Sequence, residues 1–118
     1  MYTEKGKSID TQLKKSISGY GVFEGPRSNE WDQIAKCKAS GYWQYDYSKY
    51  FQFGSINDDL VFSNDLNKSM VESILKQKNL GKLFIEPHLK SRLNLKNSKV
   101  RFHGCKAVRH DDHIHIEL

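Results

Sequence analysis

The stretch His110-Asp-Asp-His-Ile-His-Ile-Glu-Leu118 carries three of the five histidines of this chain. In a β-strand, successive side chains point to opposite faces, so the imidazoles of His113 and His115 would share one face and the aliphatic residues the other. The backbone positions of these two histidines would lie about 6.6 to 6.8 Å apart, two steps along the strand. At that distance both imidazoles can bind one metal ion, or one can bind the metal while the other transfers protons. The aliphatic face predicts packing against a core, with this strand at or near the centre of an antiparallel sheet. The alternative is a solvated edge strand.

The composition is that of a single polar domain. The chain has 118 residues, of which 37% are hydrophobic, and its mean hydropathy is −0.72. A chain of this length can form a hydrophobic core without disulfides or metal ions to stabilise it. No apolar run reaches the roughly 18 residues of a membrane span. The beginning of the sequence lacks the apolar stretch of a secretory signal. We therefore expect a cytoplasmic protein or a delivered domain that acts in the periplasm or in a target cell.

The order of elements before the histidines predicts an α+β fold. It consists of a small antiparallel sheet with helices on one side and a histidine-bearing C-terminal strand. Residues 1–20 are poor in large apolar groups and are predicted to form a flexible or helical arm. Residues 21–118 are predicted to form a single catalytic-type domain.

Three helices are indicated by apolar spacing and by signals at their ends. Residues 29–39 are predicted as a helix that begins at an asparagine cap and is ended by a glycine. The clearest helix begins at about residue 64 and ends before Gly81. Pro87 is expected to open a short helix that continues to residue 93, with His88 on its surface.

Strands are indicated in three places. Residues 82–86 are typical of a buried strand, and Val100 and Phe102 belong to a further one. Residues 42–53 hold seven of the fourteen aromatic residues, most of them at odd positions. This period of two predicts one or two strands with an aromatic face, for which packing in a core is favoured over a platform that stacks bases. Asp46 would point away from that face and toward a site.

The two cysteines, Cys37 and Cys105, lie far apart in the sequence and do not form a C-x-x-C motif. We expect free, buried thiols. A disulfide is the alternative if the protein occupies an oxidising compartment.

The second half of the chain resembles a known family. From about residue 61 the order is helix, strand, short helix, strand and loop, followed by His110-Asp-Asp-His-Ile-His. This resembles the C-terminal half of the penicillin-insensitive murein endopeptidases, within the wider group of lysostaphin-like, D-Ala-D-Ala-cleaving and hedgehog-like zinc metallopeptidases. The family motif His-x-x-His-x-His is matched in spacing by His110, His113 and His115.

The resemblance implies a zinc metallopeptidase that hydrolyses peptidoglycan in the bacterial cell wall. It implies that His115 is a zinc ligand, that His113 is a catalytic histidine beside the metal, and that His110 is an accessory catalytic histidine. Zinc in such a site polarises the scissile carbonyl and lowers the pKa of a bound water, while nearby imidazoles move protons.

One part of the family pattern has no full counterpart. The family uses an upstream His-x6-Asp pair as two further zinc ligands, but no histidine precedes His88 in this chain. Asp46 is the candidate for the aspartate. Because catalytic zinc usually has three protein ligands, another donor is needed. The candidates for it are His103, His110, His113 and Cys37.

Two other functions fit the same residues. One is a metal-independent ribonuclease toxin, in which His113 with His110 or His115 acts as acid and base on RNA and Lys106 or Arg109 stabilises the phosphorane. The sequence pI of about 9.2 and seven cations without an acid between residues 88 and 109 fit that substrate. A cognate inhibitor or immunity protein would be its partner. The other function is that of a catalytically inactive binding domain with the peptidase fold.

Overall fold

The predicted α+β fold is confirmed in the computed structural model, which describes residues 2–4, 7–8, 23–51 and 60–118. The helices in these residues are α1 (Gln33–Ala39), a 3-10 helix (Trp43–Phe51), α2 (Asn64–Leu75) and α3 (Pro87–Arg92). The strands are β1 (Tyr2–Glu4), β2 (Lys7–Ser8), β3 (Leu60–Phe62), β4 (Lys82–Phe84), β5 (Val100–Arg101) and β6 (His115–Glu117).

The histidine strand belongs to a three-stranded sheet with the order β5-β4-β6. Strand β4 runs parallel to β5 and antiparallel to β6, so the sheet is mixed and not purely antiparallel as predicted. The predicted central position of the histidine strand is also wrong, because β6 lies at the edge. Strand β4 takes the centre because Leu83, Phe84 and the following Ile85 are all buried, as suits a strand packed on both faces.

The two faces of this sheet differ in what they carry. Leu83 pairs in register with Val100 on one side and with Ile116 on the other. Leu83 and Val100 share a core with Val71 from α2 and Leu89 from α3. The opposite face carries Phe84 and its register partner His115. Within β6 the predicted alternation holds for His115 and Ile116, and it leaves His115 on the face away from the helical core. His113 precedes the strand, and the predicted packing of the aliphatic face against a core is wrong for Ile116 and Leu118, which are exposed.

The second sheet has the order β2-β1-β3 and is antiparallel. Its strands β1 and β2 lie in the segment for which the sequence predicted an arm. Residues 1, 5–6 and 9–22 lie outside the described residues, so the extent of the arm stays a prediction.

The aromatic segment forms a 3-10 helix, and the strands predicted for it are wrong over residues 43–51. Residues 52 and 53 of that prediction lie outside the described residues. Tyr45 and Asp46 are both buried although they are adjacent, while Trp43 and Tyr47 are exposed. In a strand Trp43, Tyr45 and Tyr47 would share one face, so the burial of Tyr45 between two exposed residues breaks the two-residue period.

The ends of the helices follow ordinary capping rules. Helix α1 is capped by Asp32, whose carboxylate accepts from the backbone N–H of Ala35, and not by Asn29 as predicted. Helix α2 begins where the sequence predicted and is capped by Ser63. Helix α3 is confirmed, with Pro87 in its first turn.

A disulfide joins Cys37 of α1 to Cys105 in the loop that follows β5. The expectation of free thiols is therefore wrong, and Cys37 has no thiolate to offer a metal. The sequence separation of 68 residues makes this a long-range link between the first half of the chain and the histidine-bearing half. Among the residues described here, none of the helices has the length and apolar character needed to cross a membrane.

Candidate metal centre

Three imidazoles gather above the ring of Phe84, and we call His103, His110 and His115 the histidine cluster. The ring of His103 stacks on Phe84 with a centroid distance of 4.2 Å, and the ring of His115 meets Phe84 edge-on at 5.5 Å. The three imidazole centroids lie 5.0 to 5.7 Å from one another. Phe84 thus gives the cluster an apolar floor on the central strand of the sheet.

The donor atoms of the histidine cluster are close enough to hold a metal ion. One ring nitrogen from each residue can be chosen so that all three lie within 4.8 Å of one another. Nδ1 of His103 and Nε2 of His110 are 3.4 Å apart. Three neutral imidazoles around one point are a donor set that Zn²⁺ accepts, and they leave a fourth position for water or substrate.

His103 reaches the cluster by a route that the sequence did not indicate. A hairpin between β5 and the histidine strand would have brought it there, but β4 lies between these two strands. His103 instead follows β5 and turns back over Phe84. Gly104, the next residue, has a φ of +101°, a left-handed conformation that favours glycine.

His110 is the buried member of the cluster, and two groups hold its backbone. Its N–H donates to Oε1 of Glu86 at 2.9 Å, and its carbonyl accepts from the N–H of Glu86 at 3.2 Å. The hydroxyl of Tyr45 donates to the same carboxylate. Burial raises the pKa of the Glu86 carboxyl. Burial, together with the imidazoles around it, lowers the pKa of His110 to about 4, so this ring is neutral at pH 7 and available as a ligand.

His113 lies beside the cluster and has a carboxylate partner of its own. Its Nδ1 is 2.6 Å from Oδ1 of Asp112, and this hydrogen bond raises the pKa of His113. Its ring centroid is 4.8 Å from that of His110. Asp112 and His113 line a cleft of about 310 Å³, whose other wall is formed by apolar side chains such as Met70 and Ile74. A histidine oriented by a carboxylate at the edge of a cleft can transfer protons.

Asp46, the other predicted zinc ligand, is not part of the cluster. Its carboxylate is buried, accepts from Nη1 of Arg109 and lies 3.4 Å from Nζ of Lys38. Arg109 also forms a fork with Asp111, with a Nε to Oδ1 distance of 3.0 Å. Arg109 is therefore engaged by two carboxylates, whereas Lys106 is exposed.

Most of the basic side chains between residues 88 and 109 form hydrogen bonds or ion pairs within the fold. Lys90 donates to the carbonyl of Val100, and Lys99 donates to that of Leu80. Arg92 binds the carboxylates of Glu24 and Glu30. These cations hold backbone and carboxylate groups of the chain, which weakens the prediction of an anion-binding surface.

His88 was predicted at the surface, and that prediction is wrong. Its side chain is fully buried, and its Nε2 donates to the carbonyl oxygen of Glu24 at 2.6 Å. Nε2 also lies 4.0 Å from Oδ2 of Asp111. The residue faces inward because the segment that contains Glu24 packs against α3, where Arg92 binds it as well.

Several residues that support the site have no local signal in the sequence. Phe84 was recognised only as part of a buried strand, and the role of Glu86 depends on Tyr45 and His110, which lie 41 and 24 positions away. Asp112, by contrast, contacts the ring of His113, its neighbour in the sequence. Comparison with protein-family models, with curated proteins and with solved structures found no match to this chain.

Proposed function

We propose that this protein is a zinc-dependent hydrolase that cleaves amide bonds in peptidoglycan peptides. The observation that carries the proposal is the histidine cluster, in which three imidazole donors lie within 4.8 Å of one another. Three protein ligands are usual in catalytic zinc sites, including sites with three histidines. The substrate class is supported by the resemblance of His110, His113 and His115 to the murein endopeptidase motif.

In this proposal His103, His110 and His115 hold the metal. The ligand set differs from the one expected from the resemblance, because His103 and His110 take the places of the upstream pair and Asp46 has no part in it. Zinc bound there would polarise a scissile carbonyl and lower the pKa of a bound water.

His113 is the residue that moves the proton. With Nδ1 donating to Asp112 at 2.6 Å, the other ring nitrogen, Nε2, can accept a proton and return it to the leaving amine. Asp112 fixes the orientation of the ring and stabilises its protonated form, as the raised pKa of His113 reflects. This pairing supports different roles for the histidines: His113 exchanges protons, and the three residues of the histidine cluster bind metal.

Two further features keep the ligands in place. Phe84 packs against the rings of His103 and His115 and excludes water from one side of the cluster. Glu86 holds both backbone groups of His110. Such supporting partners typically change metal affinity or activity by about 10- to 100-fold when they are removed.

The disulfide supports an oxidising location for this chemistry. Disulfides persist in secreted and periplasmic proteins and are rare in the cytosol. The bond between Cys37 and Cys105 anchors the loop that carries His103. A peptidoglycan hydrolase would work in such a compartment, either in its own cell envelope or after delivery to another cell.

The test is a measurement of bound metal together with hydrolysis of purified muropeptides. We expect stoichiometric zinc in the wild-type chain and its loss in the His103→Ala and His115→Ala variants. The matched control is His113→Ala, which should retain zinc and lose hydrolysis. A chain that binds no zinc even when the metal is supplied would refute the proposal.

The same samples separate the alternative functions. Cleavage of RNA in the presence of EDTA would assign the ribonuclease function, although Arg109 is already held by Asp46 and Asp111 and only Lys106 remains of the two cations considered for it. Zinc binding without hydrolysis of any muropeptide would assign an inactive binding domain.

A further inference from the structure

We propose that the groove between α1 and the 3-10 helix binds the saccharide strand of the substrate. This inference rests on the proposed function, because it names the part of peptidoglycan that the groove would hold. The groove has a volume of about 620 Å³. The lining residues that matter here are Asp32, Lys38, Trp43, Asp46 and Arg109.

Trp43 is the apolar element of the groove. Its side chain is 60% exposed although it is among the largest apolar side chains of the protein. Trp31, which precedes α1, and Tyr47, in the 3-10 helix, are also exposed. An indole can pack its flat face against the C–H face of a pyranose ring, and tryptophan provides large contact area with little loss of conformational entropy.

The polar groups of the groove favour a neutral ligand. The carboxylates of Asp32 and Asp46 balance the cations of Lys38 and Arg109, and the lysine lies 3.4 Å from Asp46. A site for a nucleic acid backbone would instead show an excess of positive charge. Asp46 and Arg109 are buried and bound to each other, so the polar groups open to a ligand are the carboxylate of Asp32 and the ammonium of Lys38. A carboxylate acceptor and an ammonium donor beside an exposed indole suit the hydroxyl and acetamido groups of an amino sugar.

The groove is joined to the histidine cluster at two points. Arg109 lines the groove, and the next residue, His110, belongs to the cluster. The disulfide ties α1, one wall of the groove, to the loop that carries His103. In this proposal a saccharide strand held in the groove extends its attached peptide toward the cluster, so that binding energy from the sugar helps to position the scissile amide.

The chain contains a matched control for the indole. Trp31 is 55% exposed and has the ammonium of Lys36 at 5.6 Å from its ring, and Trp43 has that of Lys38 at 5.9 Å. Trp43 lines the groove, and Trp31 is not among the lining residues. Replacement of either by alanine removes a similar exposed ring, but only Trp43→Ala should affect the groove.

The experiment is a calorimetric titration with a soluble tetramer of β-1,4-linked N-acetylglucosamine, in EDTA. We expect binding to wild type, weakening by about tenfold or more in Trp43→Ala, the range for a tryptophan that anchors an interface, and no more than a small change in Trp31→Ala. Trp43→Phe, which keeps an aromatic face, should bind at an intermediate level. Circular dichroism checks folding, and if Trp43→Ala unfolds, the comparison of Trp43→Phe with Trp31→Ala decides.

Three results would overturn the inference: no binding by wild type, equal weakening in the two alanine variants, or tighter Trp43-dependent binding of a single-stranded RNA oligomer. Because the titration is run without metal, it is independent of the proposed hydrolysis. Zinc without saccharide binding would refute the groove alone, and Trp43-dependent saccharide binding without zinc would refute only the proposed hydrolase.

Discussion

Residues 109–111 contribute to two polar regions that differ in charge: Arg109 and Asp111 belong to a network of ion pairs, and His110 belongs to the histidine cluster. We call Arg92 and Arg109, with their four carboxylate partners, the arginine network; the partners are Glu24, Glu30, Asp46 and Asp111. In the histidine cluster, by contrast, the three imidazoles contact one another and the ring of Phe84. The arginine network pairs opposite charges within the chain, whereas the histidine cluster brings together three imidazoles that lie close enough to bind a metal ion. The contrast shows that a small fold can keep its buried ion pairs apart from a group of imidazoles close enough to bind a metal ion.

The largest effect should come from breaking the arginine network at its buried centre. Arg109→Ala removes the guanidinium that the buried carboxylates of Asp46 and Asp111 share, and removal of one partner from a buried pair costs about 3 to 5 kcal/mol. Chemical denaturation measures this loss in the free energy of unfolding. Arg101→Ala is the control, since Arg101 is exposed and should change stability by about 0.5 kcal/mol or less. Equal effects of the two variants would show that the network contributes no more than surface charge.

The histidine cluster should stabilise the protein only when zinc is present. A ligand that binds the folded state alone adds about 2.7 kcal/mol at a free concentration one hundred times its Kd. We therefore expect the thermal midpoint to rise with added zinc and to return with EDTA. His103→Ala should abolish the increase with little change in the metal-free midpoint. A zinc effect that survives in His103→Ala would place the metal elsewhere.

His88 is a buried histidine outside the histidine cluster, so its replacement should affect stability but not zinc binding. His88→Ala removes a buried ring and leaves the carbonyl of Glu24 without its donor, which should cost about 1 to 3 kcal/mol. Zinc content should stay unchanged, as measured on the folded variant. Loss of zinc in this variant without loss of stability would contradict the distinction between the two regions.

The smallest effect concerns acid stability at the partly buried Glu30–Arg92 pair of the arginine network. Hydrogen bonds from Arg92 lower the pKa of Glu30 from 4.5 to about 2. Because the folded-state pKa is the lower one, the stabilising contribution is complete above about pH 4.5 and is lost as the pH falls toward 2. Glu30→Gln should therefore flatten the pH dependence of unfolding between these values. Identical curves for wild type and variant would show that Glu30 is not coupled to folding.

The elements that the sequence predicted well depend on local signals. Ser63 and Pro87 mark the beginnings of α2 and α3, and the alternation of histidine and isoleucine correctly assigned His115 and Ile116 to opposite faces. The spacing in His110-Asp-Asp-His-Ile-His singled out two of the three cluster residues. Each of these signals spans only a few neighbouring residues, so it could be recognised without the fold.

The features that were missed depend on partners distant in sequence. Tyr45 and Asp46 are both buried because Glu86 and Arg109 bind them, and no local period records those contacts. The position of His103 depends on the order of strands in the sheet. The pairing of the cysteines depends on the compartment as well as on the fold.

The disulfide also divides the chain topologically. It closes a covalent ring from residue 37 to residue 105, and β6 follows as a tail outside that ring. His103 belongs to the ring, whereas His110 and His115 belong to the tail. A metal ion bound by all three would fasten the tail to the ring. A protease cut between residues 37 and 105 would leave both pieces in one molecule until the bond is reduced, whereas a cut between residues 105 and 110 would release two of the three ligands.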